Sequence, residues 1–277
     1  MAGLNTVLQD FNSDAERAEH LLVLIKSFRE FGGSNPPSGT DLLPSWTEAI
    51  ALHAASKQRR TDLPILSASL ELYIVGRFEY CIRQVVEVIA DELASRAAKY
   101  SDLPDAIRSA LKKQSLEIAQ NPKRYGYDDA QADALLEKLV TNLNIANGPI
   151  SIRSEVISIT ESNMKERMLN DLLKRVGMND FWKEAGKQTA MKLELGKATD
   201  GETTAEAQSR LNAIMDERNQ VAHPTGNTTF PDPDQVLSVS RFLKTLASTV
   251  VELAKVYLHA TRPPAACSFV NASINAS

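Results

Sequence analysis

Between Leu66 and Tyr100 the apolar residues Leu70, Ile74, Phe78, Cys81, Ile82, Val85, Val86, Ile89 and Leu93 recur at steps of three and four. That spacing lays a broad apolar stripe along one long helix. A stripe this wide needs other helices to cover it, and the same period recurs along most of the chain. The expected fold class is therefore all-α. At 277 residues, 43% hydrophobic and only 6% aromatic, the chain can bury a sizeable core of Ala, Leu, Ile and Val, which suits packed helices better than a β-sandwich. Gly76 interrupts the stripe at a cost of roughly 1 kcal/mol relative to Ala, and such a glycine often admits a close neighbour. Arg77, Glu79 and Arg83 surround it.

The other segments follow the same logic. Ser13 to Glu30 reads as a helix with Ser13 as N-cap, and Gly32 to Pro37 as a break. Ser45 to Arg60 reads as a helix capped at Ser45, with Glu48 three residues on. Asp105–Gln120 and Asp128–Asn144 read as helices, separated by the basic and aromatic loop Lys123, Arg124, Tyr125, Gly126, Tyr127. Ile150 to Ile159 alternates weakly and reads as extended. Asn163–Val176 is helical with Gly177 as its stop, Asp180–Lys187 is a short helix, and Gly196–Gly201 a linker. Thr203 to about Val221, capped near Thr203 or Thr204, and Asp232 to about Leu258 form the last pair of helices. The expected organisation is an N-terminal helical extension over 1–62 and a helical domain over 63–260 with an internal insertion around 101–160. A flexible tail over 261–277 completes it.

Several classes fall away. Two cysteines, Cys81 and Cys267, make neither a disulfide scaffold nor a Cys-rich zinc site. One disulfide remains open, although Cys81 sits in an apolar helical pattern that suits a buried thiol. No apolar run is long enough for a membrane span, and Met1–Asp10 lacks the basic-then-apolar pattern of a secretory signal. The expected location is a reducing cytoplasm. A net charge of −4 argues against a non-specific nucleic-acid coat, but not against an enzyme that meets RNA through a local basic patch. No metal-binding, phosphate-loop or nucleophile-elbow motif occurs, so no metal and no cofactor are expected.

What remains is the segment Arg218-Asn219-Gln220-Val221-Ala222-His223-Pro224, between the last two helices. His can give or take a proton near neutrality, and Arg offers a permanently charged fork to phosphate oxygens. A His at a helix C-terminus meets the negative end of the dipole, which suits a general acid or an electrostatic stabiliser. Cleaving RNA without a metal needs these functions, applied to the 2′-hydroxyl, the 5′-leaving oxygen and the phosphorane. On a continuous helix Arg218 and His223 would lie roughly 140° apart. They converge only if the helix loosens before Pro224, or if each meets a second copy. Asn219 lies on the face of His223, four residues earlier. The plain alternative is a surface Arg, a His that ends the helix structurally, and an Asn that caps it.

In spelling and position, Arg218 to His223 resembles the motif of the HEPN superfamily, whose nuclease members carry Arg-x4-6-His, often as Arg-Asn-x-x-Ala-His. The likeness is tight over Arg218–Pro224 and loose over Leu66–Leu258. Gly76 to Glu79 resembles the first core helix of one branch, and Asn163 to Phe181 the segment before its terminal pair. The resemblance implies a HEPN-type helical bundle acting as a metal-independent endoribonuclease on tRNA or mRNA, leaving a 2′,3′-cyclic phosphate. It implies a homodimer with a composite site, in phage defence or a toxin–antitoxin pair where a regulatory or antitoxin protein holds it in check. Arg218 would hold the phosphate, His223 would move the proton, and Asn219 would position. Glu79, Arg77 and Arg83 are supporting candidates, against a solvated face with local ion pairs. Lys123, Arg124 and Tyr125 are candidates for RNA contact, against a plain solvated loop. The rivals are a non-catalytic HEPN module for dimerisation or for RNA or protein binding, and a helical adaptor whose motif only caps a helix.

Overall fold

The computed structural model of the chain describes residues 2–34, 47–59, 61–144 and 150–261. Eleven α-helices and two 3₁₀ turns, with no strand, make up the described residues. The helices are α1 (Ala2–Gly33), α2 (Thr47–Gln58), α3 (Leu63–Arg96), α4 (Asp105–Gln120), α5 (Asp129–Asn144) and α6 (Ser154–Ile157). Then follow α7 (Glu166–Arg175), α8 (Phe181–Gly186), α9 (Thr189–Leu195), α10 (Asp200–Ala222) and α11 (Pro233–Ala260). Among the described residues no helix is long and apolar enough to cross a membrane. Ser45, Trp46, Arg60, Cys267 and the tail from residue 262 lie outside the described residues.

Three long helices form the frame. The stripe of α3 is buried throughout, from Ile74 and Phe78 to Ile89 and Leu93. α1 runs antiparallel to it, with Asp14 against Arg77 and Gly3 against Val88. α11 runs antiparallel to α1, with Asp234 beside Lys26 and Ser240 donating to Glu19. It is therefore parallel to α3, and Arg96 Nη1 donates to Leu258 O at 2.8 Å. Phe11 and Phe78 meet edge to face at the centre, 6.1 Å apart. α10 packs on this frame, while α4, α5 and α6 enclose a small second core of Ile118, Ala132, Leu135 and Val156.

Four expectations change. α1 begins at Ala2, so Ser13 is inside a helix rather than its cap: Leu4, Val7 and Phe11 continue the buried stripe of Ala15, Ala18, Leu22 and Ile25. Ile150–Ile159 is not extended. It holds the short helix α6, whose Ser154, Val156 and Ile157 are all buried, and the Arg175 guanidinium takes the carbonyls of Ile157 and Ile159. α10 starts at Asp200, capped by Thr199, whose hydroxyl accepts from Glu202 N and donates to its carboxylate. The supposed linker shrinks accordingly, and Gly201 lies inside the helix. Finally, no described residue comes close to Gly76, since a Cβ there would meet none within 4 Å.

Candidate active site

α10 carries the motif to its end. Leu211, Ile214 and Met215 bury its inner face. Pro224 disfavours helical geometry at the residue before it, and His223 leaves the helix at φ −126° and ψ 65°. The last α-helical bond runs from His223 N to Asn219 O at 3.0 Å. His223 is exposed, whereas Arg218 and Asn219 are half-buried. No hydrogen bond joins the His223 side chain to either of them within the chain.

The turn before α7 meets the motif from the side. Asn163 Nδ2 donates to Asn219 Oδ1 at 2.7 Å. Arg218 Nη1 donates to that same oxygen at 3.3 Å and to Asn163 Oδ1 at 3.4 Å. Arg218 Nε is buried and makes no hydrogen bond among the described residues. The next residues of the turn are fastened as well: Lys165 pairs with Asp216 at 2.6 Å, and Glu166 N donates to Asn212 Oδ1 at 2.9 Å. Asn212, Asp216 and Asn219 stand four and three residues apart, so one face of α10 receives the whole turn. Glu79 reaches the turn from α3, where its Oε1 accepts from Met164 N at 3.1 Å.

Of the supporting candidates, the structure thus brings Glu79 to the turn beside Arg218 and Asn219. Arg77 points to α1, pairing with Asp14 at 2.6 Å and lying 4.9 Å from the Tyr80 ring. Arg83 lies over the same ring at 5.9 Å. Lys123, Arg124 and Tyr125 belong to the 3₁₀ turn after α4. Lys123 is exposed; Arg124 pairs with Glu161 at 3.0 Å, and Tyr125 Oη lies 2.5 Å from Glu161 and 3.0 Å from Glu117. These carboxylates hold the Tyr125 phenol well above its ordinary range. Burial pushes the Cys81 thiol up to about 12, so it offers no thiolate nucleophile. Among the described residues no cluster of three metal-ligating side chains occurs.

Sequence reasoning did not pick out Asn163 as a site residue. It lies 56 residues from Asn219, and neither residue signals the other locally. The polar row Asn212, Asp216, Asn219 on a helix whose other face is buried was the available sign.

The described residues form an all-α bundle with Arg218, Asn219 and His223 at the end of α10. The family described as RiboL-PSP-HEPN matches residues 45–255, and the chain belongs to it. The HEPN fold is generally a nuclease fold. No curated protein and no solved structure matches the chain.

Proposed function

We propose that this protein is a metal-independent endoribonuclease that cuts tRNA or mRNA as a homodimer. Arg218 binds the scissile phosphate, His223 carries the proton and Asn219 positions. The reading draws its main support from the Arg218 guanidinium, held half-buried beside two amides with its Nε unpartnered. A buried donor with no acceptor is costly; Nε itself is closed to solvent, so on this reading a phosphate is met by the remaining donors of the guanidinium fork. One chain contributes one exposed His and one Arg with no bond between them. Acid and base functions at opposite sides of a phosphorane need more, and a second copy brings another pair. On this reading attack by the 2′-hydroxyl leaves a 2′,3′-cyclic phosphate and a 5′-hydroxyl. A role in phage defence or as a toxin, checked by a regulatory protein, accords with such an activity.

The test uses purified protein and His223→Ala with labelled tRNA and mRNA in excess EDTA. The parent should cut to cyclic-phosphate ends, and the variant should lose about 100-fold or more, the usual worth of a proton-transfer group. Equal cutting by both refutes the site. If neither cuts, a binding module becomes the better description.

A further inference from the structure

We infer that Asn163 is a positioning residue of this site, one that fixes the Asn219 amide so that its NH2 group, rather than its oxygen, meets the incoming phosphodiester. The inference rests on the nuclease reading for its consequence in turnover, but not for its geometry.

The argument starts from Arg218. A guanidinium has donors and no acceptor. Its Nη1 reaches Oδ1 of Asn163 and Oδ1 of Asn219, so both amides must turn their oxygens toward it. With its oxygen committed, Asn163 has only its NH2 to offer Asn219, and that group donates to Asn219 Oδ1 at 2.7 Å. The Asn219 oxygen therefore serves two donors, Asn163 Nδ2 and Arg218 Nη1. Its own Nδ2 makes no hydrogen bond among the described residues. The polar atoms of the cluster left without a hydrogen bond among the described residues are thus donors: Asn219 Nδ2 and the buried Arg218 Nε. A cluster that shows donors and hides acceptors selects an anion and rejects a cation.

Asn163 can do this because its backbone is held from both sides. Glu79 on α3 accepts from Met164 N, and α10 takes Lys165 and Glu166 N through Asp216 and Asn212. Without the Asn163 NH2, the Asn219 amide keeps only the 3.3 Å contact from Arg218 and can rotate. The oxygen can then turn toward a phosphate. Asn163→Asp goes further. The new carboxylate still accepts from Arg218, yet it demands a donor from Asn219 and turns that amide round.

The experiment is nuclear magnetic resonance on the full chain, following the side-chain signals of Asn219 Nδ2 and Arg218 Nε while inorganic phosphate is added. Asn219→Ala and Arg218→Lys provide the assignments. In the parent both signals should shift together. In Asn163→Asp the Arg218 signal should still respond and the Asn219 signal should not. Asn163→Ala, a second variant should the first not fold, should weaken the Asn219 response. In turnover, Asn163→Ala should lower kcat about tenfold or more with KM little changed, as for a group that orders the transition state. An Asn219 signal that is silent in the parent, or unchanged in both Asn163 variants, overturns the inference. The phosphate response needs no cleavage. If RNA is never cut, the positioning claim is still decided. If RNA is cut as fast by Asn163→Ala, the claim falls and the nuclease reading stands.

Discussion

Glu71 is fully buried on α3, and neither of its carboxyl oxygens finds a donor among the described residues. A charged carboxylate in that position is costly. Burial, with the Glu217 carboxylate across on α10, pushes its pKa up from 4.5 to about 8. Burial raises Glu217 too. The direction of the pH effect follows from linkage. Between pH 4.5 and about 8 the folded chain keeps a proton at Glu71 that the unfolded chain has lost. This group's contribution is therefore fully present below 4.5 and is lost as pH rises toward about 8. The fall is at most about 1.4 kcal/mol per pH unit for one proton. Glu71→Gln has no such proton to lose. In urea denaturation it should match the parent at about pH 5 and be the more stable of the two at about pH 8. A stability difference that stays constant across that range would show that Glu71 is solvated. Nothing in the sequence separates Glu71 from any solvated glutamate beside the apolar stripe. Its neighbour Leu70 is in the stripe, and its burial comes from packing between helices that local spacing does not encode.

Helix ends carry the clearest dependence on single residues. α7 stops at Gly177, which adopts φ +94°, with Gly177 N donating to Lys174 O and Met178 N to Leu173 O. That double closure is a Schellman motif. A Cβ at Gly177 would also lie 2.2 Å from the Tyr257 hydroxyl of α11. Gly177→Ala should therefore cost about 1–3 kcal/mol, read as a lower urea midpoint with unchanged slope. The stop at Gly177 was legible because a glycine follows the last periodic residue. So were α4 and the end of α10, where Pro224 bars continuation. The start of α1 was not, because a polar Ser13 inside a stripe looks like a cap until the residues before it are seen buried. α6 was not either, since four residues are too few to express a period. At the site, Arg218, Asn219 and His223 were legible as one local string. Asn163 joins them only through a contact between distant segments, which local spacing does not encode.

At the scale of the molecule, α1 poses the sharpest question, because the family match begins at residue 45 and leaves it out. Yet Leu4, Val7, Phe11, Ala18 and Leu22 belong to the same core cluster as Ile74, Phe78 and Val250. Phe11 and Leu22 are almost wholly buried. Removing residues 1–34 would expose the α3 and α11 faces that α1 covers, and would leave Arg77 without Asp14 and Lys244 without Glu19. Fully burying one large apolar side chain contributes about 1.5–3 kcal/mol. Several such losses exceed the net stability of an ordinary domain, about 5–15 kcal/mol. The fragment from residue 45 onward should therefore lose its cooperative urea transition and bind a hydrophobic dye, although it keeps the whole motif. A sharp transition in that fragment, with no dye binding, would make α1 an appendage to a self-sufficient domain. The expected outcome places α1 within the structural unit that holds α3 and α11 parallel. α10 packs on that unit, and Glu79 of α3 braces the turn beside Arg218 and Asn219. The site at the end of α10 then depends on a helix from the far end of the chain.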